Sequence, residues 1–91
     1  MSETDIHHDP ESQRFIDGAA YLAYRRSAPG VVDFVSVQVP PDRRGGGVAG
    51  KLTEAAFRWA EAEALKVRPV CPYVSGAFLK RNPHWQAHVA S

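Results

Sequence analysis

The sequence predicts an α/β fold with a small sheet of about four strands, one long helix after a glycine loop, and two short C-terminal helices. Three features carry that expectation. Residues 31–39 (VVDFVSVQV) alternate with a period of two and stop at Pro40-Pro41, where the main chain can no longer donate to a ladder. Residues 47–66 bring Val48, Leu52, Ala55, Ala56 and Trp59 into one arc at about 100° per residue, the signature of an amphipathic helix. Between them lies the glycine-rich stretch Arg43-Arg44-Gly45-Gly46-Gly47-Val48-Ala49-Gly50-Lys51, so the order is strand, turn, helix.

The other elements follow in order along the chain. Residues 1–12 are polar and their first few are expected to be mobile. Asp17-Gly18 reads as a turn into a strand over 19–26, and Ser27-Ala28-Pro29-Gly30 carries hairpin chemistry, which makes this strand and the next antiparallel neighbours. Within 31–39, alternation puts Asp33, Val35, Val37 and Val39 on one face, expected to be core with Asp33 at its solvent end. On the helix, Lys51, Glu54, Arg58 and Glu61 form the solvated side, and Glu54 precedes Arg58 at the favourable i, i+4 spacing. Residues 67–74 read as the last strand; Pro72 inside it marks an edge or a splay and puts Cys71 and Tyr73 on a shared face. Helical pieces over 75–80 and 83–89 close the chain, with Asn82 capping at Pro83, and Trp59 and Trp85 are expected in the core.

Composition narrows the functional classes. A chain of 91 residues suits one small domain, which buries only about two thirds of its unfolded surface, so a site is expected as a groove rather than an internal cavity. A net charge of +1 argues against a general nucleic-acid binder, and any affinity for anions must be local. A single cysteine allows no intramolecular disulfide. No signal-peptide segment or membrane-length apolar run is present, so a cytoplasmic protein without a membrane partner is expected. The edge near Pro72 leaves room for pairing, consistent with a monomer or weak homodimer. His84 and His88 share a helical face, but two histidines near a terminus are more often surface residues, and no metal is expected.

The glycine loop carries the chemistry. Adjacent glycines permit positive φ and leave no Cβ in the way, and the first turn of the following helix offers N–H groups with no internal acceptor, which suits a phosphate. Spacing separates three known phosphate loops. Gly45 to Lys51 meets the P-loop pattern except that Leu52 stands at the hydroxyl position and Thr53 comes one residue late, about 100° around the helix. Residues 45–50 fit G-x-G-x-x-G formally, but the chain has no room for the second parallel strand with its ribose-binding acid. Arg44, Gly47 and Ala49 meet R-x-x-G-x-A directly after a strand that ends at Val39-Pro40.

That third pattern resembles the pyrophosphate loop of the GCN5-related N-acetyltransferase (GNAT) superfamily. The chain also resembles the superfamily's short single-domain branch in Arg14-Phe15, the Tyr-containing run 20–24, Val39-Pro40, the segment 44–49, Cys71-Pro72-Tyr73-Val74, and the stretch 78–85 (FLKRNPHW), all in consistent order over about 14–89. The resemblance implies a minimal GNAT-like fold: a small mixed sheet whose first strand covers 14–16 and whose two parallel strands splay to form a slot. It implies acetyl-CoA or coenzyme A as cofactor and an amine acceptor on a small molecule or peptide. The amides of Gly45, Gly46, Gly47, Val48 and Ala49, with Arg44 beside them, would take the diphosphate. The main chain from Val37 to Val39 would take the pantetheine arm, and Lys80 or Arg81 the 3′-phosphate. Cys71 would serve as acid for the leaving thiol or as transient acyl acceptor, with Tyr73 as a second proton donor. Ser36 stands where the branch often has histidine, and Phe78 near the place of the superfamily's tyrosine. Those departures keep a coenzyme A binding module with little turnover beside the enzyme as an alternative.

Overall fold

The computed structural model describes residues 6–90. Five strands form one sheet in the order β1 (His7–Asp9), β2 (Arg14–Asp17), β3 (Ala20–Ala28), β4 (Val31–Gln38) and β5 (Lys66–Pro69). The first four are antiparallel neighbours, and β5 joins β4 in parallel, so the sheet is mixed as expected. The fifth strand is β1, inside the polar segment 1–12; the expectation of mobility in its first few residues falls on 1–5, which lie outside the described residues. β1 is held because His8 stacks on Phe15 with ring centroids 4.2 Å apart and meets the Tyr24 hydroxyl at 2.6 Å.

The core face of β4 is not the one that simple alternation selects. Val32 and Phe34 are fully buried, whereas Val35 is 37% exposed. The register explains it: Tyr24 pairs with Phe34 and Ala23 with Ser36, so Val35 is an extra, unpaired residue. Such a bulge switches the faces beyond it. Val37 then lies opposite the buried Leu22, on the same side as Phe34. Asp33 is not at a solvent end either. It is buried, accepts from Ser27 Oγ at 2.9 Å, and stands between Arg25 at 3.6 Å and Arg68 at 3.5 Å.

Helix α1 (Val48–Ala62) packs on the sheet through Val48, Leu52, Thr53, Ala56, Phe57 and Ala60. Phe57 is the centre of that face, edge-on to Phe34 and stacked on both Phe78 and Trp85. The stripe is thereby rotated from the expected arc, leaving Ala55 and Trp59 only partly buried, while Trp85 is buried as expected. α1 ends four residues earlier than expected, at Ala62, and Ala64 turns the chain at φ 57°.

The expected last strand is cut short. β5 stops at Pro69, and Pro72 opens a helical segment with π geometry over Tyr73–Phe78, continuing as α2 (Leu79–Arg81). At a helix entry the missing proline N–H costs nothing and its fixed φ fits. Cys71 and Tyr73 therefore do not share a strand face. Asn82 donates its side-chain amide back to the Phe78 carbonyl at 3.0 Å instead of capping the final 3₁₀ turns at Pro83–His88. Beyond these, Ala90 N–H donates to Val67 O at 2.7 Å and Val89 bridges Val67, so Val89 and Ala90 lie on the outer edge of β5.

Candidate active site

The glycine loop sits where β4 hands the chain to α1. Arg43 anchors it: its guanidinium donates to the Asp17 carbonyl at 2.6 Å and pairs with the Asp17 carboxylate at 3.2 Å, tying the loop to the β2–β3 turn. Arg43 is thus committed to structure, while Arg44 uses only Nε, donating to Val39 O at 3.2 Å. Gly47 begins α1 at φ 80°, a left-handed conformation that favours glycine. The first intrahelical bond runs from Lys51 N–H to Gly47 O at 3.1 Å. Among the described residues, the amides of Gly47, Val48, Ala49 and Gly50 donate to no main-chain oxygen and no side chain caps them.

Those donors face a hollow of about 400 Å³ whose walls include Val39, Arg44, Gly45, Ala49, Tyr73 and Arg81. Of the residues expected to bind cofactor it brings together Val39, Arg44, Gly45, Gly47, Val48, Ala49 and Arg81, and of the two expected to be catalytic it includes Tyr73; Val37, Gly46 and Cys71 are not among its walls. A Cβ placed on Gly50 would stand 3.5 Å from the Tyr73 hydroxyl, so that hydroxyl overhangs the first turn of α1. Burial pushes the Tyr73 pKa up, the Arg81 charge opposing and Cys71 reinforcing, which keeps the phenol protonated. Lys80 is exposed and does not line this hollow. A second groove of about 540 Å³ shares Gly47 and Gly50 with it and continues over the outer side of α1 past Lys51 and Glu54 towards Phe78 and Asn82.

The other half of the site is a gap in the sheet. β4 and β5 pair through Phe34 and Pro69 and then part, and Cys71 N–H makes the last link by donating to Phe34 O at 2.9 Å. Cys71 is buried at the head of that gap, opposite the bulge at Val35. Beyond it the β4 main chain from Ser36 to Val39 has no β5 partner, and Val39 reaches the amide-lined hollow. An extended arm could pair along this free edge with its anionic end on α1. Ser36 is half-buried on the sheet, and Phe78 is buried against Phe57, so neither supplies the side chain usual at its place.

Several features were beyond sequence reasoning. Glu54 is more than a solvated partner of Arg58: it also accepts from Trp85 Nε1 at 3.0 Å. Burial alone would raise its pKa, but these two donors hold it below the usual glutamate value. Thr53 is buried and donates to Ala49 O at 2.8 Å, so its hydroxyl is turned away from the loop, in keeping with the rejection of a P-loop. His88 faces Glu61 at 3.6 Å, and His84 lies against Trp85.

Comparison with known proteins accords with this geometry. The profile described as GCN5-related N-acetyl-transferase matches residues 12–89. Protein NATD1 from Danio rerio is 32% identical over 89% of this chain and 78% of its own length. Protein NATD1 from Mus musculus is 31% identical over 86% of this chain and 76% of its own, and that from Homo sapiens 31% over 86% and 74%. With a profile covering most of the chain and relatives above 30% identity aligned along most of their length, and with an amide-lined hollow beside a parted strand pair, the chain belongs to the GCN5-related N-acetyltransferase family.

Proposed function

We propose that this chain is an acetyl-CoA-dependent N-acetyltransferase of the cytoplasm, moving an acetyl group to the amine of a small molecule or an exposed lysine. The observation that carries the reading is the row of unpaired amides from Gly47 to Gly50 running into the free edge of β4. A diphosphate would take those amides with the Gly45 and Gly46 main chain and Arg44. The pantetheine arm would lie along Val37–Val39, and Arg81, on the cradle wall, is better placed than Lys80 for the 3′-phosphate. The adjoining groove over α1 is large enough for an adenosine.

Acetyl-CoA supplies an acetyl group already activated as a thioester. The protein's part is to orient that group, admit a neutral amine and return a proton to the departing sulfur. Cys71, whose main chain makes the last link before the gap, would supply that proton or a transient acyl bond. The Tyr73 hydroxyl lies over Gly50, which suits it to hydrogen-bond a phosphate oxygen. Release of free thiol from acetyl-CoA, measured across polyamines, amino acids and lysine peptides, tests the reading. Turnover of at least one amine class is expected. Tight coenzyme A binding without turnover would leave the second reading, a binding module, which Ser36 and the hydroxyl-free Phe78 favour. Absence of heat with millimolar coenzyme A would remove both.

A further inference from the structure

α1 and the C-terminal helical segments pack on one face of the sheet through Phe34, Phe57, Phe78 and Trp85. The opposite face carries Arg14 over the Tyr21 ring at 4.2 Å and, beside the gap, a cross-strand row of Arg25, Asp33 and Arg68 on three adjacent strands. Asp33 is buried, its side chain 3% exposed, whereas the Arg25 and Arg68 side chains are 69% and 57% exposed. One carboxylate between two guanidiniums leaves one net positive charge. Each arginine approaches Asp33 at more than 3.4 Å, leaving most of its forked donors free.

This row stands just before the strands part. Asp33 pairs with Arg68, Phe34 with Pro69, and the gap begins at the next residue, Val35. Two strand residues span about 6.6 Å, so the guanidiniums and the mouth of the gap lie within the length of one small molecule. The mouth is apolar: Val35 and Val70 are the exposed large hydrophobic side chains among the described residues, and Val70 borders a shallow hollow of about 280 Å³ with Arg68, Pro69 and Ala90. Asp33 itself is already held by Ser27 and both arginines, so it is a poor partner for a substrate ammonium.

We propose that the acceptor docks on this uncovered face at the mouth of the β4–β5 gap, and that it is an amine bearing a carboxylate beside an apolar body, with Arg25 and Arg68 reading the carboxylate. The proposal rests on the acetyltransferase reading. In the transfer the amine nitrogen bonds to the acetyl carbonyl carbon, the carbon–sulfur bond breaks, and the proton lost by nitrogen ends on the departing sulfur. The products are an N-acetylated amino acid and a free thiol.

The test compares leucine, leucinamide and isoamylamine as acceptors by thiol release, and measures binding of the first two to the coenzyme A-saturated protein by calorimetry. Leucine is expected to exceed both others at least tenfold in kcat/KM and to bind at least tenfold more tightly than leucinamide. Leucinamide has the less basic amine, so reactivity alone favours the opposite order. Arg68→Gln, which leaves Arg25 on Asp33, should cut the leucine preference to below threefold with coenzyme A affinity unchanged, and Arg68→Lys should retain part of it. Equal use of all three acceptors, a stronger response to phosphoethanolamine, or an Arg68→Gln variant that binds coenzyme A and keeps the preference would overturn the proposal. If no acceptor is turned over or bound while coenzyme A binds, the proposal fails and the cofactor site stands; if coenzyme A does not bind, the parent reading fails with it.

Discussion

The placement of Tyr73 yields a sharp prediction. Its hydroxyl overhangs Gly50, beside amides with no acceptor, and makes no hydrogen bond with the described residues. Tyr73→Phe should therefore leave stability within about 0.5 kcal/mol of the parent. With coenzyme A bound, the same deletion removes a hydrogen bond to a charged oxygen, worth about 1.5–3 kcal/mol. At ~1.4 kcal/mol per factor of ten, the dissociation constant should rise about 10- to 100-fold. Calorimetry with coenzyme A and with 3′,5′-ADP separates this from a role in chemistry. A phosphate ligand weakens both complexes and leaves kcat within about threefold at saturating donor, whereas a proton donor lowers kcat with affinity intact. Because burial raises the phenol's pKa, the affinity difference should persist undiminished through pH 9. Unchanged affinity for both ligands refutes the reasoning.

Three further outcomes follow. Cys71→Ala should slow transfer at least tenfold while coenzyme A still binds, and unchanged rates would take the thiol out of the mechanism. Gly47→Ala forces a side chain to φ 80° and should cost about 1–2 kcal/mol in urea denaturation; Gly50→Ala has room for its methyl and should not destabilise, yet should weaken coenzyme A binding by crowding the cradle. His8 is held neutral because burial outweighs the attraction of Asp9, with His7 and Glu63 nearby. Its folded pKa lies below the ordinary histidine value of 6.5, so its contribution is present above that value and is lost as pH falls below it through the depressed folded pKa. Melting temperature should drop between pH 7.5 and 5, and His8→Gln should flatten that slope; an unaltered slope would place the sensitivity elsewhere.

The glycine loop and its unpaired amides were legible because their signal is local: glycine spacing and a helix start fix where amides point, whatever packs around them. The order of strand, loop and helix was legible for the same reason. What failed to show depends on distant partners. The bulge at Val35 comes from register against Ala23 and Tyr24, and a run as evenly alternating as VVDFVSVQV gives no local sign of it. The burial of Asp33 needs arginines on two other strands, and the holding of β1 needs Phe15, Tyr24 and Trp59 around His8. Pro72 was ambiguous, since proline fits a splayed edge and a helix entry alike. Only the helical segment that follows, packed through Val74 and Phe78, decides between them.

The bulge also connects fold to site. By inserting Val35, the chain turns Val37 back to the helix side and leaves Ser36 opposite Ala23 on the uncovered face, at the level where β5 departs. The free edge of β4 therefore runs from the bulge to Val39 and the amides of α1, while Arg25 and Arg68 stand on the opposite side of the sheet. Donor and acceptor could then approach the same carbonyl from different sides without competing for space. Deleting Val35 tests that dependence, because it removes the bulge and its local bend while leaving Ser36 opposite Ala23 and Val37 opposite Leu22, so the faces of β4 are kept and only the distortion where β4 parts from β5 is lost. The expected result is a folded protein whose coenzyme A affinity falls although no cradle residue has changed; retention of full affinity would show that the cradle is set by α1 and Arg43 without help from the bulge.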